Sequence, residues 1–554
     1  MDANSDFLVH PGHAHLVGAA GNGMRALAEV LATAGWRLTG SDATSPSPPT
    51  ASVGTRPAAV RRRLGAVIGH ASPHHPDNVP AAADLLIHSA AVGSDNVELR
   101  RAGQWGIPVL SYPEALGRLS RARPTLAVAG THGKSSTVAM TAAVLRSLGV
   151  DPTVFGGATP IGHRSGGQLG RGPTLLVEAC EYRRHFLHLQ PTTAVLLPIE
   201  PDHFDCFPDN AELEAAFREF VALLPEDGVL LAAADCHRAM RVARSARCSV
   251  LTFGLDRPAD FTAQAVSHDR GRYRFAFCRN DEPIVEITLT VPGRHNVLNA
   301  LAALAIGSTH SFSGRACPPC PLSLRERARV RADQHRLDAS GTRALQRGLL
   351  QFRGLHQRLE EHAHHGDVCW IDDYAHHPTE LRAALTTVRQ MFPGRPITCV
   401  FQPHQASRTA ALFDGFVGVL GSADRVAVVE VFRAREGGAT AGEPTATDLA
   451  RAVSACGIPV APCHGHAEIA AWLARSLQPG DVLLTAGAGD VDRIGLAWCG
   501  LPNREIIRTL TANGACREAA HHRTGPPTVA KAIGRFTCPL SPSPRSGIAG
   551  ERVG

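Results

Sequence analysis

Residues 127–140, AVAGTHGKSSTVAM, join a short apolar run to a glycine-rich turn and then to Lys-Ser-Ser-Thr opening a second apolar segment. The run has strand length and the segment has helical periodicity, so the stretch predicts strand, tight turn, helix. Backbone N–H groups and a helix N-terminus then face one point in space, a ready site for phosphate oxygens. Gly130, Thr131, His132, Gly133, Lys134, Ser135 and Ser136 form the candidate cradle. Lys134 is placed to reach β/γ-phosphates, and Ser135 to ligate Mg²⁺. The fullest form of this pattern has a further glycine where this chain has Val128. The plain alternative is a glycine-rich turn with no ligand.

Composition sharpens the choice. Lysine occurs only at Lys134 and Lys531, and the other 54 basic residues are arginine. A chain that avoids lysine yet keeps one in this turn points to phosphate, which suits a compact, flexible ammonium. The net charge is +6, but the arginines are spread along the chain with few aromatics among them, which argues against a nucleic-acid surface. Length allows three domains with separate cores. No apolar run reaches the roughly 18 residues of a membrane span, and the N-terminal stretch MDANSDFLVHPGHAHLVG lacks an export signal, so a cytoplasmic location is expected. The 14 cysteines are scattered, as free thiols would be, and Cys317-Pro-Pro-Cys320 lacks a second ligand pair.

Outward from the turn, three α/β blocks follow one another, predicting mostly parallel sheets. Their expected spans are 1–121, 122–353 and 354–500. Residues 45–57, 308–333 and 501–554 are rich in Pro, Ser or Arg and are read as insertions and a disordered tail. In the first block, Gly18, Gly21 and Gly23 form a turn with Asp42 about twenty residues on. Three readings fit it: NAD, another diphosphate, or a tight turn alone. The Gly-x-x-Gly-x-Gly spacing counts against NAD. In the second block, Glu178 ends the strand TLLVE, and Asp202 and His203 follow the next apolar run. Ligands gather at the carboxyl ends of strands in open α/β sheets, so both can converge on the loop and hold divalent ions. The third block carries DDYAHHPTE (372–380) and FQPHQASRT (401–409). Their histidines and carboxylates suggest metal chemistry, yet no matching ligand set follows in the sequence.

Taken in order, HLVGAAGNGM…TGSD, GTHGKSST, EPDHFD, VPGRHNVLNALAAL, IDDYAHHPTE, FQPHQASRT and GAGD resemble the Mur ligases over most of the chain, outside the insertions and tail. The resemblance implies a Rossmann-like N-terminal domain for a UDP-linked substrate, a central P-loop-type ATPase domain and a Rossmann-like C-terminal domain for the incoming amino acid. It implies ATP and Mg²⁺ as cofactors, UDP-N-acetylmuramate and an amino acid, nearest to L-alanine, as partners, and a monomer or homodimer. Gly18, Gly21, Gly23, Met24, Asp42 and Ser89 would hold the UDP substrate. Lys134 would act on phosphate, and Ser135, Glu178 and His203 on metal. His295, Asn296 and Asn299 would line the adenine end, and Arg358 would reach the γ-phosphate. Tyr374, His376, His404 and Arg408 would surround the amino acid and the reacting carboxyl, with His203, Arg358, His376 and Arg408 counted with Lys134 as catalytic. The implied reaction makes an amide through an acyl phosphate.

The chain departs from the family pattern near the substrates. Where the family has Glu-Ala-Asp-Glu-Tyr/Ser-Asp-x-Ser-Phe, it reads Glu178-Ala-Cys180-Glu181-Tyr182-Arg183-Arg184-His185-Phe186. Leu197-Pro198 replaces Thr-Asn, Gln405 replaces an arginine, and Gln357-Arg358 replaces an Arg-Arg pair. Two alternatives therefore stand beside alanine ligation: a related muramyl ligase for another amino acid or peptide, or a weak or silent nucleotide-binding homologue.

Overall fold

The structure is a computed structural model describing residues 6–43, 71–310, 338–362, 366–433 and 442–500. Segment 45–57, residues 311–333 with Cys317 and Cys320, and the tail from 501 with Lys531 lie outside the described residues.

Three sheets follow one another along the chain. The first contains β1 (His13–Val17), β2 (Arg37–Ser41), β3 (Ala71–Ser72), β4 (Leu85–His88) and β5 (Val109–Ser111), in the order β3-β2-β1-β4-β5. All its pairings are parallel. The strand order reverses between β1 and β4, and the glycine turn follows β1 at that crevice, where open α/β sheets bind ligands.

The second sheet has β6 (Thr125–Ala129), β7 (Thr153–Phe155), β8 (Gly167–Gln168), β9 (Leu175–Glu178), β10 (Thr193–Leu196), β11 (Val229–Ala233), β12 (Ser249–Gly254), β13 (Phe261–Asp269), β14 (Arg272–Arg279) and β15 (Glu282–Pro292). Their order is β15-β14-β13-β12-β11-β10-β6-β9-β7-β8. Strand β6 lies between β10 and β9, so the segments leaving all three meet at one edge. The stretch β13 to β15 is an antiparallel meander that the sequence reading did not separate. Its signal was alternation: along RYRFAFCR, Tyr273, Phe275 and Phe277 are buried while Arg272 and Arg274 face solvent.

The third sheet, in the order β16-β17-β20-β18-β19, comprises β16 (Glu360–Glu361), β17 (Cys369–Asp373), β18 (Ile397–Phe401), β19 (Arg425–Val428) and β20 (Val482–Ala486). Only β16 runs antiparallel to its neighbour. The central strands of both later sheets are buried along their length, which is why they read as continuous apolar runs.

The first two blocks share one apolar core, running from Phe7 and Leu16 through Ala127 and Val177 to Phe217. Helix Asn22–Thr33 lies so close to β8 that a Cβ on Gly167 would overlap the Ala26 carbonyl. Among the described residues no helix is long and apolar enough to cross a membrane.

Candidate active site

The phosphate-loop candidate leaves β6 and turns through two left-handed glycines, Gly130 (φ 131°) and Gly133 (φ 82°), into helix Lys134–Ser147. A side chain at Gly130 would come within 2.6 Å of Leu197 Cβ, and one at Gly133 would collide with the Asn299 amide. Both positions therefore need glycine for backbone conformation and for space. Lys134 Nζ donates to the carbonyls of Gly130 (2.6 Å) and Thr131 (3.0 Å) and pairs with Glu181 at 2.9 Å. Burial works against its charge, but the carboxylates of Glu181 and Glu178 hold its pKa above the usual lysine value. It remains an ammonium.

Ser135 Oγ donates to Glu178 Oε2 at 2.8 Å, and the Gly157 N–H donates to the same oxygen at 2.6 Å. The parallel register pairs Val128 with Glu178, which brings the end of β9 beside the loop. His203, in the left-handed region (φ 55°), turns its Nε2 toward Glu181 (3.8 Å). Burial lowers its pKa, which leaves a neutral imidazole. The Ser135 hydroxyl and the Glu178 carboxylate share one oxygen-rich point near the Lys134 ammonium, chemistry compatible with a magnesium-class ion and phosphate, while His203 faces Glu181. Sequence reasoning passed over Glu181 as a metal or phosphate group, although a buried lysine calls for such a carboxylate.

The third sheet supplies the opposite wall. His376 Nδ1 lies 2.9 Å from the Tyr374 carbonyl, its ring is 5.7 Å from that of His404, and its backbone N–H donates to Glu380 (3.1 Å). Burial pushes its pKa down to about 4. Arg358 lies over the Tyr374 ring, 5.0 Å from its centroid, with Nη1 3.9 Å from Glu380. His295 is lowered to about 4 by burial and then by the Arg358 charge, which places the helix Arg294–His310 beside the domain junction. Asn299 sits behind the loop, where its Oδ1 accepts from Thr137 (3.3 Å) and its Nδ2 donates to Asn296 (3.1 Å). Asn296 in turn donates to the Pro292 carbonyl. This network braces the loop from beneath.

Arg408, expected beside the amino acid and the reacting carboxyl, pairs with a carboxylate of the protein itself, Asp202 of the central domain. Nε donates to Asp202 Oδ1 at 2.6 Å, and Nη1 lies 3.0 Å from His404 Nδ1. Both partners are buried, with side-chain exposures of 2% and 7%. Gln405 is buried with φ 66°, its N–H donating to the Phe432 carbonyl. The altered stretch places Arg183 and Arg184 at φ 48° and 58°, conformations that β-carbon-bearing residues adopt at a cost.

The histidine pair meets side chains of the central domain. His132 lies between Glu380 (Nδ1 to Oε1, 3.2 Å) and Glu200 (Nε2 to Oε2, 3.5 Å), with its ring 4.8 Å from that of His377. Burial opposes charge on His132, but the two carboxylates overcome it and raise its pKa to about 9.

In the first domain, Gly18 (φ 75°) packs on Ser89, and the Ala20 N–H donates to Asp42 Oδ2 at 2.8 Å. Gly21 precedes helix Asn22–Thr33, whose Met24 is buried. A Cβ on Gly23 would sit 3.0 Å from the Tyr112 ring. Burial, and then the charge of Glu178, raise the Tyr112 phenol. The first turn therefore opens toward the carboxylate beside the phosphate loop.

Known families and relatives match this arrangement. Residues 13–124 match the Mur ligase family catalytic domain, 128–307 the Mur ligase middle domain, and 357–489 the Mur ligase glutamate ligase domain. The UDP-N-acetylmuramate–L-alanine ligase of Clostridium perfringens is 34% identical over 87% of this chain and 96% of its own. That of Desulfitobacterium hafniense is 36% identical over 88% and 99%. Among solved structures, the UDP-N-acetylmuramate-alanine ligase MurC of Thermotoga maritima superposes with a TM-score of 0.66 at 26% identity, covering 88% of this chain and 98% of its own. With three successive domain matches and relatives of this identity along nearly their whole length, the chain belongs to the Mur ligase family.

Proposed function

We propose that this chain is the ATP-dependent ligase that joins L-alanine to UDP-N-acetylmuramate in the building of peptidoglycan precursors. The observation that carries the reading is the meeting of a charged phosphate loop, Lys134 with Ser135 and Glu178, and the Tyr374–Glu380 wall of the third domain, which touch where His132 reaches Glu380. Relatives with that printed activity match across almost their full length.

The Gly18–Gly23 turn would take the diphosphate of the UDP substrate, with Asp42 and Ser89 shaping it. The muramyl carboxylate would then lie toward Tyr112 and Glu178. ATP supplies the phosphoryl group that turns this poor electrophile into an acyl phosphate, and Mg²⁺ held by Ser135, Glu178 and His203 would offset phosphate charge. Lys134 and Arg358 would stabilise negative charge gathered on the transferring group from opposite sides. His295, Asn296 and Asn299 would form or brace the nucleotide's far end. Tyr374, His376 and His404 would orient the amino acid, and the neutral His376 is able to accept a hydrogen bond from its amine. Closure of the third domain would keep water from the activated carboxyl.

Oxygen transfer tests the sequence of bonds. A carboxylate oxygen bonds to the γ-phosphorus as that phosphorus parts from ADP, and the amine nitrogen, giving up a proton, then replaces that oxygen at carbon and releases phosphate. UDP-N-acetylmuramate labelled with ¹⁸O in its carboxylate is expected to deliver one labelled oxygen to each phosphate released during alanine addition. Unlabelled phosphate from a productive turnover contradicts the acyl-phosphate route.

A further inference from the structure

His132, Glu200 and His377 come from three separate segments: the phosphate loop, the stretch that follows β10, and the residue preceding helix Pro378–Met391 of the third domain. One donor atom from each lies within 4.8 Å of the others. His132 Nε2 and His377 Nδ1 stand 3.5 and 3.7 Å from the same oxygen, Glu200 Oε2. Those separations exceed the usual range of an N–H···O hydrogen bond. The His132–Glu200 separation approaches the roughly 3.3 Å edge between ligands on a tetrahedral ion with bonds of about 2.0–2.1 Å, and His377, whose Nδ1 accepts the Thr379 N–H, offers its Nε2. The Nε2 atoms of both histidines are buried without a hydrogen-bond partner, and His377 is only 4% exposed. His132 Nε2 still faces the Glu200 carboxylate, whereas the buried His377 Nε2, with no hydrogen-bond partner, costs stability unless something occupies it.

Each ligand is also braced from behind. Glu380 lies 3.2 Å from His132 Nδ1, Thr379 Oγ1 donates to Glu200 Oε2 at 2.6 Å, and the Thr379 N–H donates to His377 Nδ1. Such outer contacts orient first ligands and tune a metal centre. We infer that His132, Glu200 and His377 form a site for a zinc-class divalent cation that fastens the third domain to the central domain. Two imidazoles and one carboxylate suit zinc-class ions better than magnesium, which favours oxygen ligands. An ion seated there replaces the proton on His132 and ties a phosphate-loop residue to the third domain, so it acts as a brake on opening. The inference does not depend on which amino acid the enzyme uses.

Cobalt(II) titration of the full chain, without nucleotide, reads the site by visible absorption. The expected result is an intense band of tetrahedral type that saturates at one Co²⁺ per chain and disappears on adding Zn²⁺. Glu200→Gln and His377→Asn are each expected to weaken binding at least about 10-fold, the lower bound even for losing an outer contact. Asparagine keeps the helix cap that His377 provides, so folding is preserved. Glu200→Gln alone decides if His377→Asn does not fold. His362→Gln, in the separate group Glu360–His362–Asp372, is expected to leave the band unchanged. Absence of the band in the unaltered chain, its survival in Glu200→Gln, or its loss in His362→Gln overturns the proposal.

Discussion

Lys134→Met is expected to lower turnover by at least about 10²–10³-fold, the usual effect of removing one preorganised charge donor from a transition state. The same change removes the ammonium that pairs with Glu181, a carboxylate with a side-chain exposure of 1%. Breaking one side of a buried ion pair costs about 3–5 kcal/mol. Loss of activity in the single variant therefore mixes chemistry with destabilisation, and a second substitution separates them. Lys134→Met with Glu181→Gln removes the stranded charge, so thermal unfolding of the double variant should return toward that of the unaltered chain. Its turnover should stay low. Recovery of turnover together with stability would place Lys134 in the framework rather than in the reaction.

The second large effect is expected at the clasp between Arg408 and Asp202. Each is buried and each is the other's nearest charge, across the junction of central and third domains. Arg408→Met and Asp202→Asn should each destabilise the chain by about 3–5 kcal/mol. The double variant should lose less than the sum of the two, with a coupling of about 0.5–3 kcal/mol. Small-angle scattering adds a readout that a local packing defect would not move: each single variant should be more expanded than the unaltered chain, and the double variant less so. Additive losses without expansion would show that the pair does not fasten the domains.

These two sites also show what the sequence could reveal. The loop was legible because its parts are local: strand, glycines, lysine and hydroxyl follow within a few residues, and the scarcity of lysine singled out Lys134. The first turn was legible as a strand-to-helix turn for the same reason, and it lies at the reversal of strand order. The pairing of Glu181 with Lys134 was hidden because 47 residues separate the two and no local pattern joins them. Arg408 was expected beside the substrate's carboxyl, and its pairing with Asp202, 206 residues away, could not be read from the sequence. The grouping of His132, Glu200 and His377 could not be read at all. It exists only once the third domain rests on the second, and no spacing rule links a loop, the stretch after a strand and a distant helix cap. The meander β13–β15 was legible in principle, through alternation, but its strands lack the continuous apolar runs that marked the parallel ones.

Three of the departures from the family pattern find a structural setting that leaves the phosphate side intact. Leu197 packs under Gly130, and the Pro198 carbonyl accepts from the Thr131 N–H, so this pair supports the loop. Gln405 is buried against the backbone of Phe432. Nothing in the structure explains the exchange of serine for His185.

Phosphate release tests the central claim most directly. The full chain is supplied with ATP, Mg²⁺, UDP-N-acetylmuramate and each standard amino acid in turn. The account predicts release that requires both the muramyl substrate and an amino acid, and that is greatest with L-alanine. Folded protein in which no amino acid stimulates release, or in which release proceeds equally without UDP-N-acetylmuramate, would contradict it.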